Sequence, residues 1–251
     1  MSAFRQFART LAPLAALAVT AMLTACDSAK IQINGEEGKP LSELDLSGEA
    51  PHELALLGPD AVKVTEGEKL AITVDAAPEV AELLRFTLKD GTLGVLRKPG
   101  TWDNSQTATV RVTMPALREV SMLGSGTIEA AALAPEAKVA ILGSGRIDTP
   151  RVAARALKVE IAGTGTYHAA GAAENLNLSI AGTGDAELDE LKAGKAEVSI
   201  AGTGGARFAS DGEVKANIAG TGEVHVRGSA KCTVHAIGTG KLVCEPAAKA
   251  N

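Results

Sequence analysis

Aromatic residues are scarce in this chain, which has one tryptophan, one tyrosine and four phenylalanines among its 251 residues. Aromatic side chains bury the largest area each and supply much of the core of most globular domains. Without them, a core must be assembled from many small aliphatic side chains. A thin core that repeats along the molecule meets this requirement more easily than a round one.

An excess of basic residues is also missing, because 25 lysines and arginines are outnumbered by 30 aspartates and glutamates, giving a formal charge of −5. Nucleic-acid binding requires clustered basic side chains that neutralise phosphates. The composition therefore argues against a nucleic-acid partner.

The chain lacks an apolar run long enough to span a bilayer, which takes about 20 residues. Its long apolar run, residues 11–23, follows a short basic start and ends in Leu23-Thr24-Ala25-Cys26. This ending resembles the lipobox of bacterial lipoproteins, which implies cleavage before Cys26 and acylation of its thiol and amine. The alternative is an ordinary secretory signal with a chance cysteine.

These features predict a lipoprotein signal peptide over residues 1–25 and a lipid-anchored tether over residues 26–40. Two or more acyl chains on one residue give stable membrane attachment, so the membrane is the expected partner of Cys26. We expect the protein to face the periplasm from the inner or the outer membrane. Asp27 resembles the inner-membrane retention signal of enteric bacteria, although this rule differs between bacterial groups.

The tripeptide Gly-Ser/Thr-Gly occurs seven times at intervals of 18 to 20 residues. A steady period of this length indicates a repeat architecture in which each unit stacks on its neighbours. A sharp corner needs a positive φ or a close approach of two backbones, and glycine permits both. Structural corners are therefore predicted at the first glycine of each copy: Gly124, Gly143, Gly163, Gly182, Gly202, Gly220 and Gly238.

Apolar residues alternate with polar ones on both sides of each tripeptide. Counted from the first glycine as position 0, positions −6, −4 and −2 are mostly aliphatic, and so are positions +4 and +6. Such alternation is typical of strands with one buried face. Each repeat is therefore predicted to be a strand, a glycine corner, a second strand and a short return.

The pattern predicts an all-β fold, a single-stranded β-helix (β-solenoid) with about 18–20 residues per coil. Its regular coils cover residues 118–245 and are followed by a C-terminal tail over residues 246–251. Residues 41–117 contain shorter strand patterns and turn signals. We expect them to form irregular N-terminal coils of the same solenoid rather than a second domain.

These repeats resemble the head GIN domain family of auto-transporter adhesins, also called domain of unknown function 2807. The resemblance covers about residues 50–245 and rests on the IAGTG and LGSG corners and on the segments VTEG, KDGTL and VTMPAL before them. It implies a right-handed β-helix that is often lipid-anchored, and it carries over no catalytic residues. The word adhesin is itself an analogy, since a fold does not fix a function.

A disulfide between Cys232 and Cys244 is predicted in the last repeat. The two cysteines lie at positions −6 and +6, so both belong to inward columns, and the compartment is oxidising. The last coil has no following coil to cover it, and closing a loop of about 13 residues would hold its end. Two buried free thiols are the alternative.

The sequence predicts no catalytic residue, no metal site and no cofactor. His168 and His225 share position +5, but they lie three coils apart, roughly 14 Å, which is too far for common metal ligands. The carboxylates that could form an acid–base pair lie on outward positions among arginines. The corner hydroxyls either serve the corners alone or form a binding ridge.

Trp102 is the possible binding residue outside the repeats, because it lies in the polar loop 101–106. Alternatively, it covers the end of a coil. The predicted function is a non-enzymatic envelope lipoprotein that presents a β-solenoid surface as an adhesin or scaffold, with an unknown envelope protein or glycan as partner. The alternative function is a carbohydrate-active enzyme or a carbohydrate-binding β-helix.

Overall fold

The computed structural model describes residues 19–22, 30–98 and 106–246, and most of these residues are in strands. The helical elements are a 3₁₀ turn at Leu41–Glu43 and one short helix, α1, at Pro78–Ala81. The strands fall into a small N-terminal sheet and one large sheet that winds through the stacked coils.

The second half of the chain forms seven coils that pair in parallel, each with the next. The register keeps the first glycine of every Gly-Ser/Thr-Gly corner beside the first glycine of the following coil. The predicted β-solenoid is thus confirmed. Its strands are β10 (Leu117–Gly124), β11 (Thr127–Ala130), β12 (Leu133–Gly143), β13 (Arg146–Gly163), β14 (Thr166–Gly182), β15 (Asp185–Gly202), β16 (Gly205–Gly220), β17 (Glu223–Arg227), β18 (Lys231–Gly238) and β19 (Lys241–Glu245).

The core is a stack of identical columns. Position −2 is isoleucine in five consecutive coils, and each of these side chains is at most 2% exposed. Burying such a side chain contributes about 1.5–3 kcal/mol. Repetition therefore supplies the stability that larger aromatic side chains supply elsewhere. The five residues are Ile141, Ile161, Ile180, Ile200 and Ile218.

The return between two corners is itself strand, whereas the sequence predicts a short connection. Strands β13 and β14 are 18 and 17 residues long, and each runs from one corner to the next. Small side chains make this possible, because Ala153 pairs with Ala172 and Ala154 with Ala173 in the neighbouring coil. At these alanines the backbones of neighbouring coils stay paired through the bend, because no bulky side chain separates them.

Two further coils precede the seven, and their order in space is the reverse of their order in sequence. The coil of β4 (Glu53–Leu57) and β5 (Ala61–Glu66) pairs in parallel with β10 and β11. On its other side it pairs with the coil of β8 (Thr92–Arg97) and β9 (Thr109–Met114). In the sequence, the coil of β4 and β5 comes first, but it occupies the second place in the stack. The coil of β8 and β9 follows and occupies the outermost place. The chain then returns to the third place with β10 and β11.

The detour between these coils covers the N-terminal end of the solenoid. It consists of β6 (Ala71–Asp75), α1 and β7 (Leu84–Lys89). Strand β6 pairs antiparallel with β9, and β7 pairs antiparallel with β8. Exposed sheet edges invite pairing with other chains, so these antiparallel strands protect the first coil.

The small N-terminal sheet consists of β1 (Val19–Met22), β2 (Lys30–Ile33) and β3 (Glu36–Glu37), all antiparallel. Strand β1 belongs to the segment predicted to be a signal peptide, and Cys26 lies outside the described residues. In the part of the chain that is described, no helix has the length and apolarity that a membrane crossing requires.

The C-terminal end of the solenoid differs from the N-terminal end. Within residues 106–246, no strand pairs with the far side of β18 or β19. A disulfide joins Cys232 and Cys244 across the last corner, with their Cα atoms 6.7 Å apart. Both residues lie at inward positions, and the bond joins the two strands of the last coil.

Candidate binding surface

The seven corners are built from two glycines with different constraints. Gly182, at position 0, has a φ of +125°, where a side chain is strained. Gly184, at position +2, has no room, because a Cβ there would lie 2.6 Å from the carbonyl oxygen of Gly165 and 2.6 Å from the Cγ2 of Ile161. Only the residue between the two glycines is free to carry a side chain.

Backbone hydrogen bonds tie each corner to the preceding coil. The Thr183 N–H donates to the carbonyl oxygen of Gly163 at 2.9 Å, and the Asp185 N–H donates to that of Gly165 at 3.1 Å. The central residue of each tripeptide is exposed in all seven coils. Together they form the corner ridge, with one hydroxyl about every 4.8 Å: Ser125, Ser144, Thr164, Thr183, Thr203, Thr221 and Thr239.

A network of ion pairs runs beside the corner ridge on the side of positions +3 to +7. It crosses five consecutive coils, and its side chains are roughly one-third to one-half exposed. We call this surface the charged flank. Its members are Arg146, Asp148, His168, Glu187, Asp189, Arg207 and Arg227.

One end of the charged flank is organised by Arg146. Its Nη2 lies 2.8 Å from Asp148 Oδ1, and its Nε lies 3.0 Å from both carboxylate oxygens. The hydrogen bond with Asp148 raises the pKa of Arg146 above its ordinary value. Glu187 lies 3.6 Å from the other guanidinium nitrogen, and His168 Nδ1 lies 3.4 Å from Asp148. Arg146 therefore links its own coil to one two coils away.

The network continues through Arg207. Its Nη2 lies 3.3 Å from Glu187, and its Nε lies 3.3 Å from Asp189. Asp189 also lies 3.5 Å from Arg227 of the next coil. Three arginines thus alternate with three carboxylates. The charged flank offers matched pairs of charges rather than a field of one sign.

The other side of the corner ridge carries a shallower polar surface. Lys138 lies 3.1 Å from Glu119 and 3.7 Å from Glu160, and its side chain is 18% exposed. Further along, a depression of about 250 Å³ crosses three coils. The apolar residues Leu176 and Ala196 line this depression together with amide, amine and carboxylate side chains: Asn175, Asn177, Lys195, Glu197, Glu213 and Lys215.

A larger apolar cleft of about 420 Å³ lies at the N-terminal end, where β6, α1 and β7 meet Pro40 and Leu41. We call it the cap cleft. Charged residues accompany its apolar lining. The lining residues are Pro40, Leu41, Val74, Ala81, Glu82, Leu84, Arg85, Phe86 and Lys98.

The other residues selected from the sequence are placed as follows. Trp102 and Cys26 lie outside the described residues, so the structure does not locate them. His168 and His225 each pair with a carboxylate on the outer surface, at 3.4 and 3.1 Å. Over residues 30–98 and 106–246, no group of three or more potential metal ligands converges.

The structure contains an eighth corner, Gly58-Pro59-Asp60, which the sequence analysis did not predict. Gly58 has a φ of +139° and stacks beneath Gly124, whose Cβ would lie 2.9 Å from the Gly58 carbonyl oxygen. Its position 66 residues before Gly124 breaks the 18–20-residue period, because the detour intervenes. A Gly-x-Asp tripeptide directly after the apolar strand Glu53–Leu57 is the signal that could have found it.

A buried ion pair lies at the Gly58-Pro59-Asp60 corner, and the sequence analysis did not predict it either. Asp60 is fully buried and Arg97 is 1% exposed. The Arg97 Nε and Nη2 atoms donate to the two carboxylate oxygens of Asp60 at 2.7 and 2.6 Å, and the Ala108 N–H donates to Oδ1 at 2.8 Å. Arg97 also donates to the carbonyl oxygen of Gln106. This pair therefore ties the corner at Gly58 to Arg97, Gln106 and Ala108 of the outermost coil.

Comparison with known proteins agrees with the stacked glycine corners. The family described as "Putative auto-transporter adhesin, head GIN domain" matches residues 50–230. The chain belongs to this family. No curated protein was found to match the chain.

Solved structures share the fold of this head GIN domain chain at low sequence identity. An adhesin described as putative from Bacteroides fragilis has a TM-score of 0.69 and 18% identity, over 79% of this chain and 93% of its own. A "Putative lipid binding protein" from Parabacteroides distasonis has a TM-score of 0.60 and 19% identity, over 78% and 93%. An adhesin described as putative from Parabacteroides merdae has a TM-score of 0.57 and 18% identity, over 79% and 92%.

Proposed function

We propose that the protein is a non-enzymatic binding module of the bacterial cell envelope, an adhesin or scaffold, that engages its partner through the corner ridge and the charged flank. The observation that carries the proposal is the ladder of exposed hydroxyls, one per coil, beside a continuous row of paired charges. Because the coils hold the ladder rigid, a ligand with a regular spacing of polar groups can contact several hydroxyls at once. Preorganised contacts of this kind bind without a large ordering cost.

We further propose that the module is held at the membrane by acylation of Cys26, with the solenoid in the periplasm. The lipobox and the short apolar run before it support this anchor. The polar segment of residues 27–40 then serves as the tether. An envelope protein or a glycan is the proposed partner, since both are accessible from that compartment.

Binding of fluorescent protein to a glycan array and to intact bacterial cells tests the ridge. The probe is the Cys26→Ser chain, which lacks the proposed lipid. Replacing Thr164, Thr183 and Thr203 together by valine removes three hydroxyls and keeps the shape. Each lost hydrogen bond costs about 0.5–1.5 kcal/mol, so we expect binding to fall at least tenfold.

The matched control replaces Ser179 and Ser199 by alanine on the other side of the ridge, and it should bind as the unchanged chain does. Equal binding by the ridge variant would contradict the proposed surface. Release of a reducing end or another product from any bound glycan would contradict the non-enzymatic function and favour a carbohydrate-active enzyme.

Binding of an acyl chain in the cap cleft is a second candidate function. It is favoured by the volume and apolar lining of the cleft, which fall in the range of small-molecule sites, and by the described function of the Parabacteroides distasonis relative. A fluorescent fatty acid is the probe. Val74→Glu, in the lining, should abolish binding, whereas Thr73→Glu, at the neighbouring exposed position, should not. Failure of the unchanged chain to bind the probe would exclude this function.

A further inference from the structure

We infer that the C-terminal end of the solenoid is a self-association surface, at which two copies of this chain pair end to end through antiparallel strands. Strands β18 and β19 present backbone N–H and C=O groups that no strand of residues 106–246 uses on their far side. Natural proteins rarely leave two long sheet edges open.

The terminal coil also exposes apolar side chains that other coils bury. Val234 lies at the inward position −4 and is 46% exposed, whereas Ala216, at the same position one coil earlier, is 2% exposed. Leu242, at the inward position +4, is only partly buried against the core. The open end therefore exposes a core layer as well as two strand edges.

Two outward positions of this coil are apolar as well. Position +5 is occupied by Val243 in the last coil and by a charged or titratable residue in each of the six earlier coils, and position −1 is occupied by Ile237, which is 56% exposed. Position −1 is alanine in the four coils before it. Leucine occupies position −1 in the first two coils, so position +5 is the one at which an apolar side chain is found in the terminal coil alone. The apolar residue at +5 and the large exposed side chain of Ile237 indicate that this coil is covered from outside.

A second copy of the same end fits this surface better than a single strand would. One added strand covers one edge, but only another coil end matches both edges and the core layer between them. The N-terminal end cannot serve, because β6 and β7 already cover it. An isologous contact between two C-terminal ends also closes on itself, so it produces a dimer rather than a fibre.

The charges of the two edges are complementary in this arrangement. A two-fold axis through the last corner places β18 of one copy antiparallel to β19 of the second, with inward residues facing inward residues. Lys231 begins β18 and Glu245 ends β19. Both lie on the outward parity at the strand ends far from the corner. Lys231 of each copy therefore lies near Glu245 of the second copy, within reach of a cross-strand pair.

Pairing of this kind places the N-terminal ends of the two solenoids at opposite ends of the dimer. If the proposed anchor at Cys26 is correct, the dimer joins two membrane surfaces, which is a form of adhesion between like molecules. This consequence rests on the proposed function, but the pairing itself does not. The experiments below use unlipidated protein for that reason.

Sedimentation velocity of the Cys26→Ser chain over a range of concentrations tests the dimer. Ile237→Asp should weaken dimerisation at least tenfold, because it brings two like charges together at the two-fold contact. Ala219→Asp makes the same change at the same position one coil earlier and should leave dimerisation unchanged. Thermal unfolding checks that both variants remain folded.

A charge exchange tests the arrangement of the strands. Lys231→Glu and Glu245→Lys should each weaken the dimer, and the double variant should restore it. A chain that stays monomeric at every concentration up to the millimolar range would overturn the inference. A dimer that is insensitive to Ile237→Asp, or that is lost in the ridge variant instead, would overturn it too. Dimers that appear only after removal of residues 247–251 would show that the chain's own tail covers this end.

Discussion

At the scale of single residues, the two glycines of each corner tripeptide fix the backbone, whereas the central residue contributes its side chain to the surface. Gly182 is fixed by its φ of +125° and by the backbone of the coil below it. Thr183 lies between the two glycines and faces solvent. The same tripeptide therefore contains positions with very different tolerance to substitution, and this difference can be measured.

Replacing Gly182 by valine should destabilise the protein by about 3 kcal/mol or more, because a β-branched residue is strained at positive φ and its Cβ would meet the backbone of Gly163. Replacing Thr183 by valine should change the free energy of unfolding by less than about 1 kcal/mol. Denaturant unfolding of both variants measures the difference. Equal stability would contradict the corner geometry.

The only tyrosine of the chain gives a pH-dependent prediction at the same scale. Tyr167 is fully buried, and its hydroxyl lies 2.7 Å from the Thr149 hydroxyl. Burial raises the pKa of Tyr167 well above its ordinary value of 10.0. The unfolded chain therefore loses this proton at lower pH than the folded chain does, so folded stability should decrease as the pH rises above about 10.

Tyrosinate absorbance measures this directly, since no second tyrosine contributes. Ionisation should coincide with unfolding followed by circular dichroism. Tyr167→Phe should remove the pH effect and should cost about 1–3 kcal/mol by leaving the Thr149 hydroxyl unpaired. Ionisation of the folded protein near pH 10 would show that the side chain is accessible.

At the scale of elements, the regular coils were predictable, whereas for the first coils the sequence predicted that coils form but not their order in the stack. Each regular coil carries its own glycines and apolar columns, so its neighbours in sequence are also its neighbours in space. The coil of β4 and β5 pairs instead with a coil that follows it after a detour. Local sequence patterns do not encode this reversed order of the two coils, because the order depends on tertiary contacts such as the buried pair of Asp60 and Arg97.

The binding surface was predictable only in part. The sequence placed one hydroxyl at every corner, because the period itself fixes those positions. The charged flank depends on which arginine reaches which carboxylate across coils, as Arg146 reaches Glu187 two coils away. Alternation shows that both residues point outward, but the pairing follows from the register and from the lengths of the side chains.

The last coil provides a prediction at the scale of an element. Alkylation and mass spectrometry of the non-reduced protein should find Cys232 and Cys244 joined. Reduction, or the Cys232→Ser/Cys244→Ser double variant, should destabilise the terminal coil by up to about 3 kcal/mol, the entropic effect of a loop of this length. Hydrogen exchange should show increased opening in β18 and β19 and unchanged protection in β14 and β15. Two freely alkylated thiols in the untreated protein would contradict the bond.

At the scale of the whole molecule, the solenoid is a rigid spacer with different ends. Stacked repeats contact mainly their neighbours, so the structure extends a surface without a single central core. The N-terminal end is covered by antiparallel strands and leads to the proposed tether. Within the described residues, no strand covers the C-terminal end. The proposed attachment at one end and the proposed recognition along the side or at the far end both make use of this polarity.

Membrane attachment is tested by fractionating cells that express the whole chain. The mature protein should begin at Cys26 and partition into detergent, because two or more acyl chains give stable anchoring. Cys26→Ser should appear as a soluble or unprocessed form. Unmodified wild-type protein free in the periplasm would contradict the lipid anchor, without affecting the fold or the ridge.

The central claim, recognition through the corner ridge, is tested most directly by photocrosslinking in intact cells. A photoreactive amino acid replaces Thr183 on the ridge in one strain and Ser199 on the other side in a second strain, each within the anchored protein. The account predicts a discrete crosslinked product from position 183 that is absent from position 199 and disappears when Thr164 and Thr203 are replaced by valine. Equal products from both positions, or none from the ridge, would contradict it.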